Sequence, residues 1–139
     1  MSSYLLDTNV ISELTKRPPD SNVLTFFSSE HDFWLPVIAL EEVQYGLQLL
    51  PAGRRRSELE SAMSIIITAY EDRILPLYRE AAEYAGTLRA QAQRSGRLLR
   101  VNDALIAGIA IANDLSLATR NVADFDYLPI EVTNPWQES

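Results

Sequence analysis

The sequence predicts an α/β/α fold: helices on both faces of a central, mostly parallel sheet of four to five strands. Three observations predict it. Short apolar runs alternate with longer stretches of helical periodicity, the pattern of parallel strands joined by helical crossovers. The runs are strand-length; Asp7 and Pro36 stop the first two, and Pro76 stands near the end of the third. One helical stretch late in the chain is apolar almost all round, which only a buried helix can be. The chain has 139 residues, read as a single domain spanning 1–139. A domain of this size buries roughly 68–70% of its unfolded surface and needs no disulfide or structural metal to hold a core.

Tyr4-Leu5-Leu6 is the first strand, ending at Asp7. Residues 8–15 place Val10, Ile11 and Leu14 at helical spacing before Pro18-Pro19 breaks the chain. Asp20 or Ser21 can cap a second helix that carries Val23, Leu24, Phe26 and Phe27. Phe33-Trp34-Leu35 is the second strand, followed by a helix over 37–50 closed by Pro51. Residues 54–70 form the next helix, with Leu59, Ala62, Met63 and Ile66 inward. Ile74-Leu75-Pro76-Leu77 is the third strand. The helix over 78–94 turns Ala81, Ala82, Ala85, Leu88 and Ala92 to one side, and Ser95-Gly96 ends it. Asn102 is expected to cap the buried helix over 103–113. Residues 115–119 and 130–132 supply the fourth and fifth strands.

Missing residues narrow the chemistry. There is no cysteine, one histidine (His31) and one lysine (Lys16). Thiolate zinc sites, two-histidine metal sites, cysteine nucleophiles and the P-loop are therefore excluded. Carboxylates, hydroxyls, amides and arginines remain, with an ion held by oxygen ligands as their natural supplement. The net charge of −7 is uneven. Residues 1–53 sum to −5, residues 54–100 to +3 and residues 101–139 to −5. Two acidic ends can build an acidic pocket with a basic rim from the middle. No apolar run approaches the ~18 residues of a membrane span, and the start lacks a basic signal-peptide region. A soluble cytoplasmic protein is expected.

Ligand sites of parallel sheets form beyond the carboxyl ends of the strands. Asp7 stands there after the first strand, followed by Thr8 and Asn9, and Thr119-Arg120-Asn121 follows the fourth. Glu42 lies on the helix after the second strand, and Asp103 opens the buried helix, where the dipole favours a carboxylate. Singly, each reads equally as a turn, cap or solvated residue. Together they form a cluster of like charges, repelling by about 4 kcal/mol per pair at 4 Å and an effective dielectric of 20. Protons or a cation must offset that repulsion, and with no His or Cys nearby the ion is a hard one, Mg²⁺ or Mn²⁺.

Four segments resemble the PIN-domain ribonucleases: Leu5-Leu6-Asp7-Thr8-Asn9-Val10-Ile11-Ser12, Glu42-Val43-Gln44-Tyr45-Gly46, Asn102-Asp103-Ala104-Leu105-Ile106-Ala107 and Ala118-Thr119-Arg120-Asn121-Val122-Ala123-Asp124-Phe125. Their order and separations match over nearly the whole chain. The closing Asn134-Pro135-Trp136 looks most like the VapC/FitB-type toxins of bacterial toxin–antitoxin pairs. The resemblance implies a PIN-like fold in which Asp7, Glu42 and Asp103 are catalytic acids that hold Mg²⁺, with Mn²⁺ as substitute. It makes Asn9 and Thr119 supporting residues that orient Asp7 or a bound water. Asn121 stands at a catalytic position where many members carry Asp, which weakens any second metal, and Asp124 is placed to help from the next turn.

The implied reaction is hydrolysis of RNA phosphodiester bonds, with Asp7 or Asp103 orienting or deprotonating the attacking water. Arg120 is placed to meet phosphate, and Arg54, Arg55 and Arg56 to bind the RNA backbone farther out. A cognate antitoxin with a DNA-binding head is the implied partner, in a homodimer or a toxin–antitoxin hetero-oligomer. The apolar surplus at Leu47, Leu49, Leu50, Ile65, Ile66 and Ile67 reads as core or as partner surface. The rival reading is a catalytically weak subunit that acts with its antitoxin in transcriptional autoregulation. Two other enzyme classes fit less well. A dehalogenase-type phosphatase needs an Asp where Asn9 stands, and a receiver domain needs an early acidic pair and a late lysine.

Overall fold

A computed structural model describes residues 2–137; Met1, Glu138 and Ser139, part of the expected 1–139 domain, lie outside the described residues. In chain order the elements are β1 (Ser3–Leu6), α1 (Thr8–Glu13), α2 (Ser21–Ser28), β2 (Asp32–Pro36), α3 (Val37–Leu49), α4 (Arg54–Ala69), β3 (Ile74–Leu75), α5 (Arg79–Arg94), α6 (Val101–Ala112), β4 (Ser116–Ala118) and β5 (Val132–Thr133). The five strands are all parallel, in the order β3-β2-β1-β4-β5. Among the described residues no helix is long and apolar enough to cross a membrane.

Side-chain alternation along the strands builds two cores, one on each face. Leu5, Trp34 and Leu117 face the layer of α5 and α6. Leu6, Phe33, Leu35 and Ala118 face the layer of α1, α3 and α4. The α5–α6 pair packs through small residues: a Cβ on Gly108 would lie 2.3 Å from the Ala81 carbonyl oxygen, so only glycine lets the two backbones approach. After α5, Gly96 takes φ +77°, and the Arg97 and Gly96 N–H groups bond the Ala92 and Gln93 carbonyls at 2.8 and 3.1 Å. That Schellman turn closes the helix where the Ser95-Gly96 pair predicts its end.

Several boundaries differ from those the sequence predicts. Helix α6 starts at Val101, with Arg100 as its extended cap residue. Asn102 does not cap it; its Nδ2 reaches Glu41 Oε2 at 3.5 Å. The cap is the last residue with extended backbone, and that is Arg100, at ψ 150°. Strand β5 lies at Val132–Thr133 because it takes its register from Leu117 and Ala118 of β4, while Ile130 belongs to a turn closed on Leu128. Strand β3 stops at Leu75, before Pro76, which has no N–H to donate. Helix α1 ends at Glu13, short of Thr15. Of the two cap residues considered for α2, Asp20 serves, accepting from the Asn22 and Val23 N–H groups at 2.8 and 3.3 Å.

Candidate active site

The order of the strands determines where the site forms. The chain leaves β1 toward β2 and β3, then returns on the other side of β1 to build β4 and β5. The direction switches between β1 and β4, where a doubly wound sheet opens its ligand crevice. Asp7 follows β1 and Thr119 follows β4, so both stand at that crevice.

Asp7 is buried and also ends β1 and caps α1. Its carboxylate does not make the usual bonds of a cap residue to the second or third N–H of the helix. Instead Oδ1 accepts from the Thr8 N–H at 2.8 Å, and Oδ2 accepts from Thr119 Oγ1 at 2.8 Å and from Asn9 Nδ2 at 3.3 Å. Thr119 is fully buried, and its Oγ1 in turn accepts from the Asn121 N–H at 3.0 Å. Asn9 Oδ1 accepts from the Arg120 N–H at 3.2 Å. Strand-end loops 110 residues apart in sequence are thus tied together around one carboxylate. Glu42 joins from α3, accepting from Thr8 Oγ1 at 2.7 Å.

Asp103 lies in the first turn of α6, partly buried. Among the described residues its carboxylate has neither a hydrogen bond nor an ion-pair partner. Burial pushes its pKa up to about 6, and Asp7, Asp124 and Glu42 add to the rise; Arg100 opposes it. Burial also raises the pKa of Asp7, against the hydrogen bonds from Thr119 and Thr8, and Glu42 and Asp124 push in the same direction as burial. Acids from three other stretches of chain therefore act on Asp103, and two of them act on Asp7 as well. None of the four has a cationic ion-pair partner among the described residues.

Such a set has the chemistry of a hard-cation site. Among the described residues no three of its acidic or imidazole groups are drawn together at the spacing of a closed ligand cage. The donor set, carboxylates with amide and hydroxyl oxygens and no imidazole or thiolate, suits a small hard ion that keeps several of its waters. A calcium cage of six to eight oxygens does not match it.

The structure brings Asp7, Asn9, Glu42, Asp103, Thr119 and Asp124 into one network of bonds and fields. Asn121 enters through its backbone N–H, and its side chain is exposed. Arg120 is exposed beside the site, its guanidinium 5.0 Å from the centre of the Trp136 ring. The cluster of Arg54, Arg55 and Arg56 lies elsewhere, at the start of α4. Arg54 pairs with Glu58 at 2.9 Å, and Arg56 pairs with Glu60 at 3.1 Å and bonds Gln48 near the far end of α3. Sequence reading missed Arg100, the base whose charge acts on Asp103. Its position three residues before Asp103, in a helix turn, was the available signal.

A profile of the PIN domain matches residues 4–129 of this chain. The chain is 35% identical over 136 residues to "VapC ribonuclease Y4jK" of Sinorhizobium fredii, covering 96% of this chain and 97% of that protein. It is similar in structure to FitAcB from Neisseria gonorrhoeae, with TM-score 0.87 and 31% identity over 97% of this chain and 99% of that one. It is also similar to VapBC2 from Rickettsia felis bound to a DNA fragment from their promoter, with TM-score 0.78 and 28% identity over 95% and 98% of the two chains. With matches over nearly its full length, and with acids from four stretches gathered at the switch point of the sheet, the chain belongs to the PIN-domain family, among its VapC/FitB-type toxins.

Proposed function

We infer that the chain is a divalent-metal-dependent endoribonuclease, the toxin of a toxin–antitoxin pair, and that it works in the cytoplasm as a single domain. One observation carries this reading. Acids from four stretches of chain, Asp7, Glu42, Asp103 and Asp124, meet at the crevice of the sheet; burial, and after it the acidic neighbours, raise the pKa of Asp7 and Asp103, and none of the four has an ion-pair partner among the described residues. A fold keeps such an arrangement where a cation belongs.

Asp7, Glu42 and Asp103 are the residues that would hold Mg²⁺, or Mn²⁺ in its place. When bound, the ion supplies charge stabilisation at the phosphoryl oxygen and a water of lowered pKa. Thr119 and Asn9 fix the rotamer of Asp7, so its oxygens are pre-aimed before an ion or substrate arrives. Thr8 does the same for Glu42. Asp103, whose carboxylate makes no hydrogen bond among the described residues, is the acid freest to orient or deprotonate an attacking water. Arg120 is the base placed to meet a phosphate beside the site. Asn121 adds no charge, so a permanent second metal has little to hold it.

The complexes formed by the similar toxins support a cognate antitoxin with a DNA-binding head as the partner. They also support a homodimer or a toxin–antitoxin hetero-oligomer. The test is cleavage of a mixed structured RNA pool by the antitoxin-free chain, with Mg²⁺, Mn²⁺ or EDTA, beside Asp7→Asn and Asp103→Asn. Cleavage that needs metal and is lost in both variants is the expected result. Metal binding that is absent by calorimetry, together with no cleavage in any lane, would favour the catalytically weak, autoregulatory subunit.

A further inference from the structure

Between Glu83 and Asp103 the chain carries four arginines and no acid, in a protein of net charge −7. Elsewhere the exposed bases are largely neutralised locally. Arg54, Arg56 and Arg79 each pair with a glutamate one helical turn on. Arg89, Arg97 and Arg100 have no carboxylate partner among the described residues. Arg89 and Arg97 line one open groove of about 550 Å³ at the end of α5 and the α5–α6 connection, together with Gly86, Gln93, Leu98 and Leu99. The Arg97 guanidinium lies over the Tyr127 ring, 4.3 Å from its centre, which holds the planar group in place. Leu98 is 89% exposed, an apolar face left bare beside the two guanidinium groups.

A short stretch of chain joins the wall of the groove to the acidic site. Leu99 is in its wall, Arg100 caps α6, and Asp103 follows in the same turn, so Leu99 and Asp103 are at most about 15 Å apart. We propose that Arg89, Arg97 and Arg100 form a track for the RNA strand as it passes the acidic site, with phosphates on the guanidinium groups and a base against Leu98. The proposal rests on the ribonuclease reading. The groove suits an unpaired polyanion, because fixed guanidinium forks match phosphate and an exposed apolar side chain accepts a base face. Of the polyanions, the RNA strand is favoured because Arg100 caps the helix whose first turn carries Asp103.

The test compares cleavage by the wild-type chain with that by Arg89→Gln/Arg97→Gln, using one RNA that the wild type cuts, at 50 to 200 mM salt. Each phosphate contact contributes about 0.7 to the slope of log affinity against log salt for a single strand. Losing two lowers the slope by about 1.4, so between 50 and 200 mM salt the wild type loses about sevenfold more affinity than the variant. KM rises at low salt while kcat holds, and Arg89→Lys/Arg97→Lys restores the salt slope. Arg79→Gln, whose side chain is engaged with Glu83, leaves KM and slope unchanged. An unchanged KM and slope in the folded Gln variant overturns the track and leaves the ribonuclease reading standing. So does loss of dimer or antitoxin binding with KM unchanged, which would make the groove a protein interface. A wild-type chain that cuts no RNA with metal bound overturns both.

Discussion

Replacing Asp103 by Asn should make the metal-free protein more stable and inactive at once. Above pH 6 this carboxylate is charged in the folded chain, although burial and three acidic neighbours oppose the charge. The rise from 3.8 to about 6 corresponds to about 3 kcal/mol at 1.36 kcal/mol per pKa unit. The side chain is only partly buried, and solvent screening reduces this to about 1–2 kcal/mol. Asn keeps the shape and removes the charge, so Asp103→Asn gains about that much at pH 8 in EDTA. The gain has a defined pH window. The folded carboxyl takes its proton near pH 6 and the unfolded one near 3.8, so the wild type recovers stability as the pH falls between them. Below that window the two proteins converge. Urea unfolding at pH 8, 6 and 4 reads the difference directly. Saturating Mg²⁺ should reverse the order, since an ion at 100 times its Kd adds about 2.7 kcal/mol to the protein that binds it. If Asp103→Asn is instead less stable at pH 8 in EDTA, the carboxylate serves the dipole of α6, and the cation site must be rebuilt without it.

Thr119→Val removes the buried hydroxyl that donates to Asp7 and accepts from the Asn121 N–H; a loss of about 2–3 kcal/mol in urea unfolding is expected, with Thr119→Ser much milder. Gly108→Ala drives a methyl into the Ala81 carbonyl and should cost about 1–3 kcal/mol, while Gly86→Ala, where a Cβ meets nothing, should gain up to about 1 kcal/mol; thermal melts of the two separate packing from helix propensity. Asn121→Asp adds a fifth formal charge beside the site, so Mg²⁺ titration should give a tighter Kd, and metal-free stability should fall.

Much of the site was legible because parallel sheets put chemistry at strand ends. Asp7 and Thr119 follow from that rule and from the apolar runs before them. Glu42 followed from its place on the apolar side of α3, next to a solvent-facing Glu41 that the structure shows exposed. Less legible was anything decided by a partner far away in sequence. The three arginines at 54–56 look like a phosphate-binding cluster, yet Glu58 and Glu60 one turn on engage two of them, an ordinary helix-surface pairing. Arg100 looked like a loop residue because the start of α6 was placed at the side chain best able to cap it. Of the apolar surplus on α3 and α4, Ile66, Ile67 and Leu47 pack against the core, whereas Leu49 and Ile65 are exposed. Periodicity alone cannot separate them where every residue of a run is apolar. His31, half-buried just before β2, packs among Tyr4, Phe26 and Phe33 and accepts the Ser2 N–H on Nδ1.

Calorimetric titration of the antitoxin-free chain with Mg²⁺, repeated in buffers of different ionisation enthalpy, asks most directly whether these acids hold the ion. A metal ligand must give up its proton, so binding at pH 6 should release about half a proton from Asp103, falling toward none at pH 8. Asp103→Asn should lower the release, and Asp7→Asn should abolish binding. Mg²⁺ bound with no proton release at pH 6, or bound equally well by both variants, would place the ion somewhere other than the crevice between β1 and β4.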